Sequence, residues 1–187
     1  MGNWVLSSVG TQVYEGGCPE SRSLGDVTAG GTLLVVGSNP PSETSGRRTL
    51  ARVEQARVIL GFERAVMANL FALPTYRSGG VSELGQVPDG WLMARSELRE
   101  VLEDCSGVLL AYGVGEPVGE ARTHHREQVR WLDTEIEQQA LPTWWVGGAP
   151  RHPSRWQRYT WRHYPDIDFL SALCLALSST SRQDHPG

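Results

Sequence analysis

The chain has 187 residues, 40% of them hydrophobic and 20% charged, a composition that points to one globular domain with an ordinary core. No apolar run approaches the roughly 20 residues needed to cross a bilayer, and Met1-Gly2-Asn3-Trp4 does not open a secretory signal, so a cytoplasmic monomer without membrane contact is expected. All 17 basic residues are arginine, which excludes a lysine Schiff base, a P-loop lysine and a Ser–Lys dyad. The formal charge is −4, yet the stretch between Gln138 and Pro165 has no acidic residue and four arginines, so it carries +4 against −8 elsewhere. Such a local basic face matters more for phosphate binding than the total. Cys18, Cys105 and Cys174 are odd in number and far apart, with no CxxC pair; a reduced chain without a metal or cofactor is expected.

Trp4 to Glu15 reads as an N-terminal edge hairpin, followed by glycine-rich irregular chain to Gly31. Thr32-Leu33-Leu34-Val35-Val36 is then an unbroken apolar run, the pattern of a strand buried on both faces. Gly37 ends it, and Pro40-Pro41 forbids both a continued ladder and an immediate helix, leaving Asn39 in a rigid loop. A helix is expected from Arg47 to Leu60, with Leu50, Val53, Ile59 and Leu60 inward and Gly61 as its C′ residue. Ala65 to Leu70 is a second strand. Pro74 to Pro88 reads as a long loop, and Trp91 to Asp104 as a helix with Leu92, Leu98, Val101 and Leu102 inward.

Val108 to Tyr112 is a third strand. Glu120 to Ala140 is a polar helix with Val129, Leu132 and Ile136 on one face, and its adjacent His124 and His125 read as surface. Pro142 to Val146 is a fourth strand, Asp166 to Leu177 a last amphipathic helix, and residues 178–187 a flexible tail. Alternating strands and helices make a three-layer α/β/α sandwich on a short parallel four-stranded sheet. Parallel strands deliver their carboxyl-terminal loops to one rim, so Asn39, Asn69 and His152 are expected together there.

Gly37-Ser38-Asn39-Pro40 resembles the first motif of the uracil-DNA glycosylase superfamily, in its mismatch-specific form with Asn in place of Asp. His152-Pro153-Ser154 resembles the second motif, and Asn69-Leu70-Phe71 matches the position of the base-reading Asn. The resemblance runs from about Thr32 to Trp156 and is closer still to a small bacterial and phage family related to those enzymes. It implies a monofunctional DNA glycosylase that flips a modified pyrimidine and hydrolyses its N-glycosidic bond, with DNA as partner. Asn39 would hold water, His152 would stabilise the leaving base and Asn69 would read its edge. Gly37, Ser38, Pro41, Ser42 and Phe71 would line the base pocket. Arg151, Ser154, Arg155, Arg158 and Arg162 would hold phosphates, and Trp156 stands where the superfamily fills the gap left by the everted base. Uracil-specific members carry a bulky Tyr where this chain has Pro41, which implies room for a 5-substituted base such as the modified cytosines of phage DNA, and with it an antiviral role. Rival readings are a uracil or mismatch repair glycosylase, an N-glycosidase of free nucleosides or nucleotides, and a non-catalytic nucleic-acid binder.

Overall fold

The computed structural model of the chain describes residues 5–6, 30–40, 46–75 and 79–179. Strands β1 (Val5–Leu6), β2 (Thr32–Gly37), β3 (Arg64–Asn69), β4 (Gly107–Leu110), β5 (Thr143–Val146) and β6 (Leu177–Ser179) form one sheet in the order β1-β3-β2-β4-β5-β6. Pairing is parallel across β3, β2, β4 and β5. It is antiparallel where β1 joins β3 and β6 joins β5. The sheet is therefore mixed and wider than the four parallel strands expected. Leu177-Ser178-Ser179 is too short and polar to announce a strand, and it is ordered by the open edge of β5. Of the expected hairpin, only β1 falls within the described residues.

The helices are α1 (Arg47–Leu60), α2 (Gly80–Leu84), α3 (Asp89–Asp104), α4 (Glu120–Gln138), α5 (Trp156–His163) and α6 (Phe169–Ala176). Successive residues of a strand point to opposite faces, and β2 shows this directly. Leu33 and Val35 pack with Val53, Ala56 and Leu60 of α1, Trp156 of α5 and Leu173 of α6. Leu34 and Val36 pack on the other face with Trp91, Ala94, Leu98 and Leu102 of α3 and with Leu132 and Ile136 of α4. Helices thus cover both faces, which makes the three-layer arrangement. All of β2 is buried, and each such large apolar side chain contributes about 1.5–3 kcal/mol to folding.

Helix α1 ends as expected: Gly61 is left-handed at φ 80° and its N–H reaches back to Arg57 O and Val58 O. In α3 the expectation fails at Leu92, which is 51% exposed, while Trp91 and Ala94 turn inward. The expected loop from Pro74 to Pro88 holds the short helix α2. The last helix is shorter than expected, its start fixed by the Asp168 carboxylate, which accepts from the N–H groups of Leu170 and Ser171. Cys105 is a buried free thiol whose pKa is pushed up to about 11 by burial. Among the described residues, no helix is long and apolar enough to cross a membrane.

Candidate active site

The carboxyl ends of β2 and β3 are neighbours, with Gly37 paired in register to Asn69. Beyond the ladder, Leu70 N–H donates to Gly37 O at 2.9 Å and Phe71 N–H to Ser38 O at 3.0 Å, so the Asn39 loop is stitched to the chain leaving β3. Gly37 leaves the space that the Asn69 side chain fills, since a Cβ at that position would lie 2.6 Å from Asn69 Oδ1. The Asn39 amide donates to Pro40 O and to Thr75 Oγ1, both at 3.0 Å. With both amide hydrogens engaged, Oδ1 is the atom left to accept a hydrogen bond. Thr75, which the sequence did not single out, therefore sets the orientation of Asn39.

Asn39 lines a cleft of about 310 Å³ together with Ser38, Thr75, Ser82, Glu116 and His125. The Glu116 carboxylate is gripped by Arg126, whose Nε and terminal nitrogen each donate at 2.8 Å. That hydrogen bonding holds its pKa below the usual carboxylate range. His125, expected on the surface, packs edge-on against Trp91 and Tyr112, and burial lowers its pKa. Its Nδ1 is buried with no partner. Its signal was the i, i+4 and i, i+7 relation to Val129 and Leu132 on the apolar face of the same helix.

His152 lies in a second cleft, of about 640 Å³, with Gly113, Val114, Gly115, Arg151, Arg155, Arg158, Tyr159, Arg162 and His163. Gly115 lines both clefts and forms the boundary between them. The His152 side chain caps the single 3₁₀ turn Pro153–Arg155, with Nδ1 accepting from Ser154 N–H at 3.2 Å and Ser154 Oγ 2.8 Å away. An Nδ1 that accepts leaves the proton of the neutral ring on Nε2. Burial and the nearby Arg155 charge both lower the His152 pKa, which favours that neutral form. The loop is buttressed from α1: Arg52 donates to Pro153 O at 2.8 Å and to Gln157 Oε1 at 2.6 Å. Arg52 is a positioning residue that no motif announced.

The arginine wall is built on α5, which carries Arg158 and Arg162, and on the segment before it, which carries Arg151 and Arg155. Arg151 lies 4.5 Å above the Tyr159 ring, against which His163 stacks at 4.1 Å. Tyr159 in turn rests on Gly147, whose φ of +65° and lack of a side chain are both needed, since a Cβ would come within 2.1 Å of the ring. Arg151 Nε is buried without a partner. The Gly113–Gly115 loop is tied to the His152 loop through Gly113 N–H, which donates to Pro150 O at 2.5 Å.

Several expected roles need correction. Trp156 is fully buried and its Nε1–H donates to Arg151 O at 2.6 Å, so it anchors the loop from beneath and is not a wedge. The exposed tryptophan of α5 is Trp161, at 73%. Phe71 is also fully buried, 4.8 Å from Trp91 and pressed on Gly90, which makes it core and not base pocket. Asn69 lines neither cleft, and Asn39 and His152 occupy adjacent clefts instead of one cavity. Pro41 and Ser42 lie outside the described residues. Among the described residues, no group of three or more His, Cys, Asp and Glu side chains is arranged to hold a metal ion. Set against protein-family models, curated proteins and solved structures, the chain matches none.

Proposed function

We propose that the chain is a monofunctional DNA glycosylase that everts a modified pyrimidine and hydrolyses its N-glycosidic bond. The observation that carries this reading is the fixed state of two side chains on adjoining clefts. Asn39 is held with Oδ1 free to accept, and His152 is held neutral with Nε2–H as its remaining donor. Cleavage of the C1′–N bond sends its electron pair into the base and leaves an oxocarbenium-like sugar. Asn39 Oδ1 orients a water but takes no proton strongly, so attack follows bond breaking. The water oxygen joins C1′, and its proton ends on solvent or the departing base. His152 Nε2–H donates to the carbonyl oxygen where negative charge collects, a contribution of the kind worth about 10²–10³ in rate. Arg155, Arg158 and Arg162 hold the flanking phosphates. With no lysine in the chain to form a Schiff base, the abasic strand stays unbroken.

Burial of Trp156 favours a second reading, an N-glycosidase of free nucleotides, because the expected wedge is absent from the surface. The two are separated by presenting DNA containing uracil, 5-hydroxymethylcytosine or glucosylated hydroxymethylcytosine beside the corresponding free nucleotides, and measuring free base by chromatography. Release from DNA with an intact, alkali-labile strand supports the glycosylase. Release from nucleotides alone supports the second reading, and release from neither contradicts both.

A further inference from the structure

The clefts differ in what they offer a ligand. The arginine cleft supplies donors and positive charge. In the Asn39 cleft, the two groups with fixed polarity are both acceptors: Asn39 Oδ1, whose amide hydrogens are spent on Pro40 and Thr75, and the Glu116 carboxylate. Arg126 occupies one position on each carboxylate oxygen and locks the plane of the group, while Arg122 Nε lies 3.6 Å from it. Each oxygen retains a further lone pair. The side chain keeps 36% of its surface exposed and follows Gly115, the residue shared by both clefts. The hydroxyls of Thr75 and Ser82 are adaptable: Thr75 Oγ1 accepts from Asn39, and Ser82 Oγ accepts from Val118 N–H at 3.1 Å.

A fixed carboxylate discriminates between pyrimidines at one atom. A cytosine-type base presents an amino group at position 4, which a carboxylate accepts well, whereas a uracil- or thymine-type base presents a carbonyl oxygen there. Two acceptors facing each other leave a buried lone pair unsatisfied and cost affinity. Resting on the glycosylase reading, we propose that Glu116 is a specificity-determining residue that accepts a hydrogen bond from the 4-amino group of a cytosine-type base and rejects its 4-oxo counterpart.

The test uses a matched pair of DNA substrates, one with 5-hydroxymethylcytosine and one with 5-hydroxymethyluracil, which differ only at position 4. Both kcat/KM for base release and Kd for each DNA are measured with the wild-type chain and with Glu116→Gln. The expected wild-type preference for the cytosine member is at least tenfold. Glu116→Gln should shrink that preference at least tenfold, because a carboxamide also donates to a carbonyl oxygen. A merely structural role would lower both substrates together and leave the ratio unchanged, which overturns the assignment. If neither base is released, the glycosylase reading fails, and the Kd ratio decides the inference: a preference abolished by Glu116→Gln upholds Glu116 as a reader, and equal Kd values overturn it.

Discussion

The two clefts share a rim and one residue, Gly115, but are built in opposite ways. The larger is a wall of arginines on one short helix and the loop and turn that lead into it, braced by aromatic stacking of Arg151, Tyr159 and His163. The smaller is assembled from four separate parts of the chain, with the Asn39 loop, Thr75, helix α2 and the Glu116–His125 stretch each contributing. One offers charge, which acts at a distance and tolerates imprecision. The other offers oriented acceptors, whose value depends on geometry. An overall charge of −4 conceals this division, since it averages a cationic surface with an acidic remainder. In this account the arginine cleft decides how tightly nucleic acid is held, and the Asn39 cleft decides which base reacts.

The sharpest break in that division comes from α5 itself. Trp156→Ala removes a fully buried indole and its hydrogen bond to Arg151 O, and should destabilise the fold by about 3–5 kcal/mol. Trp161→Ala, at an exposed position, should change stability by no more than about 0.5 kcal/mol. Urea unfolding followed by tryptophan fluorescence distinguishes them; equal losses would mean that the assignment of the two indoles is wrong.

Next in size is the electrostatic effect. Arg158 and Arg162 line the larger cleft, so replacing both by Gln should weaken DNA binding and flatten the dependence of log Kobs on log salt by about one unit per arginine. Glu116→Gln and Asn39→Ala should leave that slope unchanged. Fluorescence anisotropy over a range of salt concentrations measures it, and an unaltered slope in the double variant would remove the phosphate role.

The smallest expected effect concerns pH. Burial lowers the pKa of both His152 and His125 below the ordinary 6.5, so each binds protons more readily unfolded than folded. Their neutral, folded state is unpenalised above that value, and stability should decline as pH falls from about 7 through 6 towards the lowered folded pKa values. His152→Asn retains a side-chain acceptor for Ser154 N–H but cannot titrate, so its melting temperature should fall less over the same interval. Parallel curves for the two proteins would show that His152 does not contribute.

Much of the fold was legible in the sequence because the β2, β3, β4 and β5 runs are apolar and short, and Gly61 marks a helix end that needs a left-handed residue. Of the edge strands, β1 falls within the expected N-terminal hairpin, whereas β6 was not legible, since the neighbouring β5 edge and not composition orders it. Of the site, Asn39 and His152 stood out by position at strand ends, and the arginines by an absence of acidic residues. Trp156 was misread, although the pattern held the answer. Arg155, Arg158 and Arg162 share one side of a helix, and at about 100° per residue Trp156 and Thr160 fall on the opposite side. Thr75, Arg52 and Glu116 act through contacts across 36 to 101 positions of sequence or through cleft geometry, which no local spacing reveals.

The central claim, that Asn39 and His152 perform chemistry at the meeting of the two clefts, is tested most directly by separating release from binding. Asn39→Ala and His152→Ala are assayed under single-turnover conditions on a DNA from which the wild-type chain releases a base, with affinity for the same DNA measured in parallel. The account predicts that each variant loses about 10²–10³ in the rate of base release while its Kd stays within a few-fold of wild type. Near-wild-type release by both variants would contradict it.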